Sequence, residues 1–418
     1  MFALIRASLL LALALVAGCA TRPPSATRPP LLLVSIDALR PGDVDASQMP
    51  VLNTLGEQGV RAAWMTPSYP SKTFPNHYTL VTGLRPDHHG MINNSMYDPE
   101  LGAFSLSSRE AVQDPRWWSG GEPVWITLQH RGGRAATMFW PGSEAAIQGE
   151  HPMDWRVYDE HLSAKSRVDQ VLAWLDRPAR TRPQFITLYF ENVDHAGHET
   201  GPDSAESRSA RAEVDAALGH LLDGLRQRGM QDRINLIVVS DHGMANITGF
   251  EYLIDYLQPH GIGLDAIDIV TTGALAGINP RPEQKAAVEA ALLGRHPHAT
   301  CWRKQDLPAQ WHYGTHARIP AILCQADPGW MLLKSNPGRA LHGGGAHGYA
   351  IEEPAMRATF IANGPAFRHG VTLQPFDNVD VYPLLMRLLG LAPLSNDGDI
   401  TPLLPALQDG LEQPHPGL

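Results

Sequence analysis

The chain contains a set of carboxylate and imidazole side chains whose spacing suits a divalent metal. Asp194 and His198 are four residues apart, so both side chains can face one side of a helical turn. Asp241 and His242 are adjacent, and Gly243 after them permits a tight backbone turn. Carboxylates and imidazoles without thiolates suit Zn²⁺, for which Mn²⁺ or Co²⁺ can substitute. In chain order the candidate ligands are Asp37, Asp194, His198, Asp241, His242 and His347.

Thr73 is the candidate nucleophile. It lies two residues before Pro75, and proline is favoured in the first turn of a helix. The Thr73 hydroxyl is therefore expected near a helix N-terminus, where positive partial charge stabilises an alkoxide or a phosphate. A threonine hydroxyl attacks only when a base or a metal activates it. The alternative is a helix N-cap, which is the common role of threonine before a helix, but the surrounding metal ligands favour the nucleophile.

Four continuous apolar runs predict the buried strands that position these residues. Runs of this kind are typical of central strands in a sheet that helices cover on both faces. They span residues 31–36, 185–190, 234–239 and 359–362. The first three lead into Asp37, the Asp194 segment and Asp241. Open α/β sheets bind their ligands outside the carboxyl ends of the strands, which is where these side chains are expected.

Helical patterns alternate with the apolar runs. Apolar residues recur with a period near 3.6 in residues 50–60, 205–228 and 381–389. Strands that alternate with helices predict an α/β fold with a central sheet flanked by helices. Residues 251–340 carry more glycine, proline and scattered aromatic residues, which predicts a small inserted cap subdomain.

Composition excludes several classes of protein. The 418 residues include 33 Lys and Arg against 43 Asp and Glu, a formal net charge of −10. This acidic balance argues against broad binding of nucleic-acid polymers, which requires a basic surface. Three cysteines among 418 residues exclude a Cys-rich zinc module and a disulfide-dense mini-fold. A small phosphate-containing substrate remains compatible with the charge, because local cations can hold it.

The N-terminus predicts export. Arg6 precedes an apolar run over residues 7–17, about half of the roughly 20 residues that a spanning helix needs, so residues 1–18 are interpreted as a signal peptide. The sequence Val-Ala-Gly-Cys that ends at Cys19 resembles a bacterial lipobox, which would make Cys19 the lipidated first residue of the mature chain. An ordinary secretory signal with an incidental cysteine is the alternative. Residues 19–30 continue as a Pro-rich tether. We expect a periplasmic protein or an outer-membrane-anchored lipoprotein.

Two cysteines remain beyond the predicted leader and tether. They are Cys301 and Cys324. Export permits a disulfide between them, and two small buried thiols are the alternative.

Several segments together resemble a bacterial member of the nucleotide pyrophosphatase/phosphodiesterase family, which belongs to the alkaline phosphatase superfamily. They lie between about residue 31 and residue 365, in the order that the family has. The segments are LLLVSIDALR, PSKTFPNHYTLVTGLRPDHHGMINNSMYDP, GEPVW, FWPGSE, LYFENVDHAGHETGP, SDHGM, GAHGY and TFIANGP. The resemblance implies an alkaline-phosphatase-like fold and a catalytic domain over residues 31–400, followed by a C-terminal tail at 401–418.

The resemblance also implies two Zn²⁺ ions per chain. One zinc site would be formed by Asp37, Asp241, His242 and the oxygen of Thr73. The other zinc site would be formed by Asp194, His198 and His347.

Further roles follow from the same resemblance. Thr73 matches the family nucleophile, and Asn94 matches a residue that donates a hydrogen bond to a non-bridging phosphate oxygen. Phe74 and Tyr189 match the aromatic pair that sandwiches the nucleotide base, and Tyr158 is expected to line the same pocket. For these three aromatic residues the alternative role is core packing.

The resemblance implies hydrolysis of phosphodiester and phosphoanhydride bonds to nucleoside 5′-monophosphates, through a phospho-threonine intermediate. A lysophospholipid phosphodiesterase and a phosphomonoesterase similar to alkaline phosphatase are the alternatives within the superfamily. A sulfatase is disfavoured because the Thr73 segment lacks the Cys or Ser motif that forms formylglycine. A non-catalytic, zinc-bound surface lipoprotein is the alternative from another class. The expected partners are a small phosphodiester and, through the lipid anchor, the membrane; oligomeric state is left open.

Overall fold

The computed structural model describes residues 28–338 and 343–410. The predicted signal peptide, Cys19 and most of the predicted tether lie outside the described residues.

The helices are α1 Pro50–Gln58, α2 Thr73–Thr82, α3 Pro86–His89, α4 Arg109–Gln113, α5 Val124–His130, α6 Ala164–Leu175, α7 Asn192–Thr200, α8 Ala205–Gln227, α9 Leu253–Leu257, α10 Lys285–Leu292 and α11 Val381–Leu389. Among the described residues, no helix combines the length and the apolar character needed to cross a membrane.

The strands are numbered in chain order. The first eight are β1 Leu31–Ile36, β2 Val60–Ala62, β3 Met65–Thr66, β4 Ser95–Asp98, β5 Gly102–Ser105, β6 Ala135–Met138, β7 Asp154–Trp155 and β8 Phe185–Phe190. The next nine are β9 Asn235–Val239, β10 Ala245–Asn246, β11 Gly249–Tyr252, β12 Ile267–Thr271, β13 Leu275–Pro280, β14 Gly294–His296, β15 Ala299–Arg303, β16 Ile322–Ala326 and β17 Trp330–Leu333. The last four are β18 Gly345–Ala346, β19 Phe360–Asn363, β20 Val371–Leu373 and β21 Phe376–Asp377.

An eight-stranded sheet forms the centre of the molecule, in the order β20-β2-β19-β9-β1-β8-β6-β7. Strand β1 lies between β8 and β9 and is parallel to both. Strands β6 and β7 continue the parallel part, whereas β19 runs antiparallel to β9. All four predicted apolar runs form strands of this sheet, and the observed bounds differ from the predicted ones by one residue at most.

Helices cover both faces of the sheet because β1 is apolar on both. Leu31 and Leu33 pack into one core with residues of α2, α5 and α11. Leu32 and Val34 point to the opposite face and pack with residues of α1, α6 and α8. This alternation follows from the two-residue period of a strand. It confirms the predicted α/β class with flanking helices.

A second, smaller sheet lies within the segment predicted as an inserted subdomain. Its strand order is β12-β13-β16-β15-β14, and its pairings are antiparallel. Together with α9 and α10 it encloses its own apolar cluster. Cys301 on β15 and Cys324 on β16 are directly opposite each other and form a disulfide, so the structure joins the two cysteines as export would permit.

The C-terminal boundary differs from the prediction. Residues from 401 onward were expected to form a tail, yet Leu403, Ala406 and Leu407 are buried in the main core. Their apolar side chains remove surface from water only by packing against the domain. The domain therefore continues past residue 400, and the remaining tail residues 411–418 lie outside the described part of the chain.

Candidate active site

The candidate ligands meet at the carboxyl ends of the three central parallel strands. Asp37 directly follows β1, helix α7 with Asp194 and His198 follows β8, and Asp241 follows β9 after one residue. Because β1 pairs with both β8 and β9 in a parallel register, these three strands end at the same edge. His347 joins them from the loop that follows β18.

Three buried carboxylate oxygens at this edge have no hydrogen-bond partner. They are Asp37 Oδ1, Asp194 Oδ1 and Asp241 Oδ2. Imidazole Nε2 atoms face them: His242 Nε2 lies 3.0 Å from the Asp241 oxygen and 3.6 Å from the Asp37 oxygen. The Asp194 oxygen lies 3.4 Å from His198 Nε2 and 3.7 Å from His347 Nε2.

The hydrogen bond made by Nδ1 of each histidine determines whether its Nε2 atom is a donor or an acceptor. The Nδ1 atoms of His198, His242 and His347 each lie 2.9 Å from a backbone carbonyl, that of Gly345, Gly243 and Ser71 respectively. A carbonyl only accepts, so Nδ1 carries the proton and Nε2 presents a lone pair. Lone pairs and unpaired carboxylate oxygens repel one another unless a cation lies between them. The donor set therefore fits Zn²⁺, which binds imidazole nitrogen and carboxylate oxygen with this outer hydrogen-bond support.

The donor atoms form two groups that share His242. Asp37, Asp241 and His242 offer atoms within 4.8 Å of one another, as do Asp194, His242 and His347. The rings of His242 and His347 stack at 3.7 Å between their centroids. His198 is at the open side of the second group, with 42% of its side chain exposed. The structure thus brings all six predicted ligands together.

Burial makes the charges of this cluster strongly interdependent. Burial, followed by the charges of Asp241 and Asp194, raises the pKa of Asp37 well above its usual value. Burial would raise the pKa of Asp241 too, but the imidazoles of His242 and His77, when protonated, hold that pKa well below the usual range. Burial lowers the pKa of His347 far below that of a free imidazole, and the neighbouring His242 adds to this effect. Neutral imidazole is the form that binds a metal.

Thr73 is the first residue of α2, and its side chain is directed at the ligands. Its Oγ1 lies 3.3 Å from His242 Nε2, and the residue is 8% exposed. The N-cap position of α2 is occupied by Lys72, not by Thr73. The Thr73 hydroxyl faces the site instead of capping the helix, so the N-cap alternative is wrong.

Lys72, His77 and Ser35 support the site but were absent from the predicted set. Lys72 Nζ donates to the backbone carbonyl of His347 at 2.7 Å, and burial lowers its pKa to about 8. His77 Nδ1 donates to the carbonyl of Thr73 at 2.9 Å, and His77 Nε2 lies 2.8 Å from Ser35 Oγ. Because His77 follows Thr73 by four residues on α2, helical spacing was the signal that could have placed it here.

A cavity of about 310 Å³ opens beside Thr73. Phe74, Tyr158 and Tyr189 all line this cavity. Asn94 lies next to it, and its Oδ1 accepts the backbone N–H of Phe74 at 2.9 Å, which leaves its Nδ2 as a donor. The cavity has a mixed lining, in which aromatic and aliphatic side chains alternate with carboxylates and imidazoles.

The three aromatic residues differ in their surroundings. Phe74 is half-buried and packs against Phe104 and Trp118, with ring centroids at 5.9 and 5.8 Å. Tyr158 is half-buried, and its ring lies 6.3 Å from that of Tyr189. Tyr189 is 8% exposed, and its hydroxyl donates to Asp37 Oδ2 at 2.7 Å. Tyr189 therefore orients a candidate metal ligand, in addition to lining the cavity.

Comparison with known proteins agrees with this geometry. Residues 31–350 match the family model described as type I phosphodiesterase / nucleotide pyrophosphatase. A venom phosphodiesterase of Macrovipera lebetinus is 38% identical over 402 residues, which cover 93% of this chain and 46% of that protein. Ectonucleotide pyrophosphatase/phosphodiesterase family member 3 of Mus musculus is 38% identical over 384 residues, covering 90% and 44%. The chain thus spans about half the length of the curated relatives it matches.

The fold is shared with solved structures. Murine ectonucleotide pyrophosphatase/phosphodiesterase 5, described as an inactive threonine-to-alanine variant in complex with AMP, superimposes with a TM-score of 0.85 at 32% sequence identity. The match covers 91% of this chain and 100% of that chain. These relatives are animal proteins, so the bacterial origin suggested by the lipobox-like sequence stays a prediction.

The contact between Tyr189 and Asp37 generates a test. Tyr189→Phe keeps the ring in the cavity wall but removes the hydroxyl that holds Asp37 Oδ2. Hydrogen bonds to charged groups contribute about 1.5–3 kcal/mol, so we expect the affinity for Zn²⁺ to fall about tenfold or more. Competition with a chromophoric chelator measures this affinity. Tyr158→Phe is the control and should leave it unchanged; equal affinities for Tyr189→Phe and wild type would contradict the positioning role.

Proposed function

The chain belongs to the type I phosphodiesterase / nucleotide pyrophosphatase family, and on this premise we propose that it is an exported two-zinc hydrolase. Its substrates are nucleotides and small phosphodiesters, and its product is the nucleoside 5′-monophosphate. One observation carries the proposal: the Thr73 hydroxyl at the start of α2 lies beside an imidazole and a group of buried carboxylate oxygens that lack partners. A cavity large enough for a nucleoside adjoins it.

We assign the metal ligands to two sites as the resemblance implies. Asp37, Asp241 and His242 would hold one zinc ion near the Thr73 oxygen, and Asp194, His198 and His347 would hold the other. Zinc supplies Lewis acidity, which lowers the pKa of a nearby hydroxyl and stabilises the attacking and leaving oxygens of an in-line displacement.

Thr73 performs the covalent chemistry. Its hydroxyl proton passes through solvent to the leaving oxygen, and Oγ1 forms a bond to phosphorus while the bond to that oxygen breaks, which gives a phospho-threonine and a free alcohol or phosphate. Water then attacks the same phosphorus, and the threonine oxygen departs. The N-terminus of α2 favours the negative charge on Oγ1 and on the phosphoryl group. Asn94 Nδ2 donates to a non-bridging oxygen as charge develops there.

The nucleoside binds in the cavity next to Thr73. Phe74 and Tyr158 offer half-buried aromatic surfaces there, and Tyr189 offers a ring that is fixed by its bond to Asp37. The murine relative with bound AMP, described as inactive with one threonine replaced by alanine, supports both the ligand class and a catalytic threonine.

The small number of positively charged side chains in the cavity favours phosphodiesters over phosphate monoesters as substrates. Among the described residues that line it, Arg109 is the one arginine or lysine, and it pairs with Glu144. The dianion of a monoester therefore meets the neutral Asn94 where a monoesterase would offer a further cation. A lysophospholipid remains the alternative diester substrate.

Export is part of the proposal. The curated relatives are named as venom and ectonucleotide enzymes. A signal peptide over residues 1–18 and lipidation of Cys19 would place this chain in the periplasm or on the outer membrane.

A substrate panel tests the proposed specificity. A nucleoside 5′-phosphodiester and ATP should be cleaved to the 5′-monophosphate, whereas a phosphate monoester should be a poor substrate because one neutral donor faces its dianion. Comparing kcat/KM for these substrates and for a lysophospholipid measures the preference. A monoester value that equals the diester value would replace this proposal with an alkaline-phosphatase-like monoesterase, and a dominant lysophospholipid value with a lipid phosphodiesterase.

Substitution of Thr73 tests the nucleophile. Thr73→Ala removes the attacking oxygen but keeps the six Asp and His ligands, so we expect a folded, zinc-loaded protein whose kcat is lower by about 10³-fold or more. Thr73→Ser is the matched control and should retain much of the activity, because the hydroxyl stays at the same helix end. Near-normal turnover by a folded, zinc-loaded Thr73→Ala protein would refute the assignment.

Metal content tests the two-zinc site. Elemental analysis of active protein should give two zinc ions per chain. Asp241→Ala should lose zinc and activity together, because it removes both charge and a ligand. Asp176→Ala, which removes an exposed aspartate paired with Arg228 far from the ligands, should keep both ions. Active wild-type protein with one metal ion or none would eliminate the two-metal proposal.

A further inference from the structure

The edge of the sheet opposite the active site carries a cluster of arginines. The segments that enter the parallel strands β1, β6, β8 and β9 all lie at this amino-terminal edge. Seven of the arginines on these segments, here called the basic patch, are Arg28, Arg134, Arg177, Arg180, Arg182, Arg228 and Arg233. We propose that the basic patch docks the protein onto anionic lipid headgroups of the membrane.

The members of the basic patch are contiguous on the surface. Arg134 Nε donates to the backbone carbonyl of Arg180 at 3.1 Å, and Arg182 Nε donates to that of Arg177 at 3.1 Å. A surface cavity of about 450 Å³ joins the other segments, since it is lined in common by Arg28, Arg182, Arg228 and Arg233. The fold thus gathers arginines from four separate segments onto one face.

The basic patch has a charge opposite to that of the chain. Asp154, Asp176 and Asp232 pair with these arginines or line the cavity, so these ten side chains together carry four net positive charges on a chain with a net charge of −10. Asp154 pairs with Arg177, and Asp176 pairs with Arg228. Among the described residues, the other five arginines form no ion pair. Guanidinium groups without carboxylate partners suit phosphate, which they can bind in a bidentate manner.

The position of the patch favours a membrane over other polyanions. Arg28, a member of the basic patch, lies nine residues after Cys19, the predicted lipidation site. Nine residues span at most about 30 Å when fully extended, so an anchored chain holds this face close to the bilayer. A lipid anchor and a basic patch together give a higher membrane affinity than either alone, because both bind the same bilayer surface. The active site then faces away from the membrane, toward soluble substrates.

Vesicle binding tests this proposal. The full chain is mixed with phosphatidylcholine vesicles that contain or lack phosphatidylglycerol, and the bound fraction is measured by co-sedimentation at low and high salt. Wild type should bind the anionic vesicles more tightly, and salt should weaken this binding because it screens exposed charges. Replacement of three exposed patch residues, Arg28→Glu, Arg180→Glu and Arg233→Glu, should lower the affinity about tenfold or more.

A charge-matched variant is the control. Arg208→Glu, Lys285→Glu and Lys334→Glu together change the net charge equally but lie outside the patch, so binding should stay near the wild-type value. All three proteins carry the same N-terminal segment and should bind neutral vesicles equally; their melting temperatures show that they are folded. Equal losses in both triple variants would overturn the proposal in favour of net charge alone. Equally tight binding of wild type to duplex DNA would overturn it in favour of a general polyanion site.

Discussion

The active site depends on one electrostatic constraint, which is that three buried carboxylate oxygens face imidazole lone pairs across less than 4 Å. Buried polar atoms of this kind destabilise a fold unless they are paired. In the neutral imidazoles of His198, His242 and His347, the Nδ1 proton is directed at a backbone carbonyl and is not available to the carboxylate oxygens. A cation satisfies all these groups at once. In the proposed two-zinc enzyme, the stability of this edge of the sheet would be coupled to metal binding.

The strand order of the central sheet brings the three carboxylates together. Asp37, Asp194 and Asp241 come from three distant parts of the sequence, and they meet because β1 pairs with β8 on one side and with β9 on the other. The same pairing sets Ser35 opposite Tyr189, which lets the Tyr189 hydroxyl reach Asp37. A hydrogen bond of this kind has no local sequence signal, since neither residue indicates which strand will be its neighbour. The role of Tyr189 in orienting Asp37 was therefore beyond sequence reasoning.

The sequence predicts a helix or strand well when neighbouring residues determine its bounds. The helix at Val381–Leu389 was predicted at its observed bounds, because its apolar period ends at Gly390, which adopts the left-handed conformation at the helix end. Burial of Leu403 and Ala406 was missed, because it depends on a surface formed by residues far away in sequence. Lys72 was missed for a similar reason, because it hydrogen-bonds to the backbone carbonyl of His347, which the assembled fold brings close. His77 differs: its partner is the carbonyl of Thr73 one helical turn earlier, so helical spacing was an available signal.

In the proposed arrangement, the two edges of the parallel sheet serve different tasks and differ in charge. The carboxyl edge gathers aspartates and histidines, and the amino edge gathers arginines from segments that enter the same strands. Positive charge at the carboxyl edge would compete with the metal ions for the carboxylates, whereas negative charge at the amino edge would repel an anionic surface. Parallel strands keep these edges apart by the length of β1, a span of about 20 Å for six residues. Parallel pairing of β1 with both neighbours would thus separate the proposed substrate chemistry from the proposed membrane attachment.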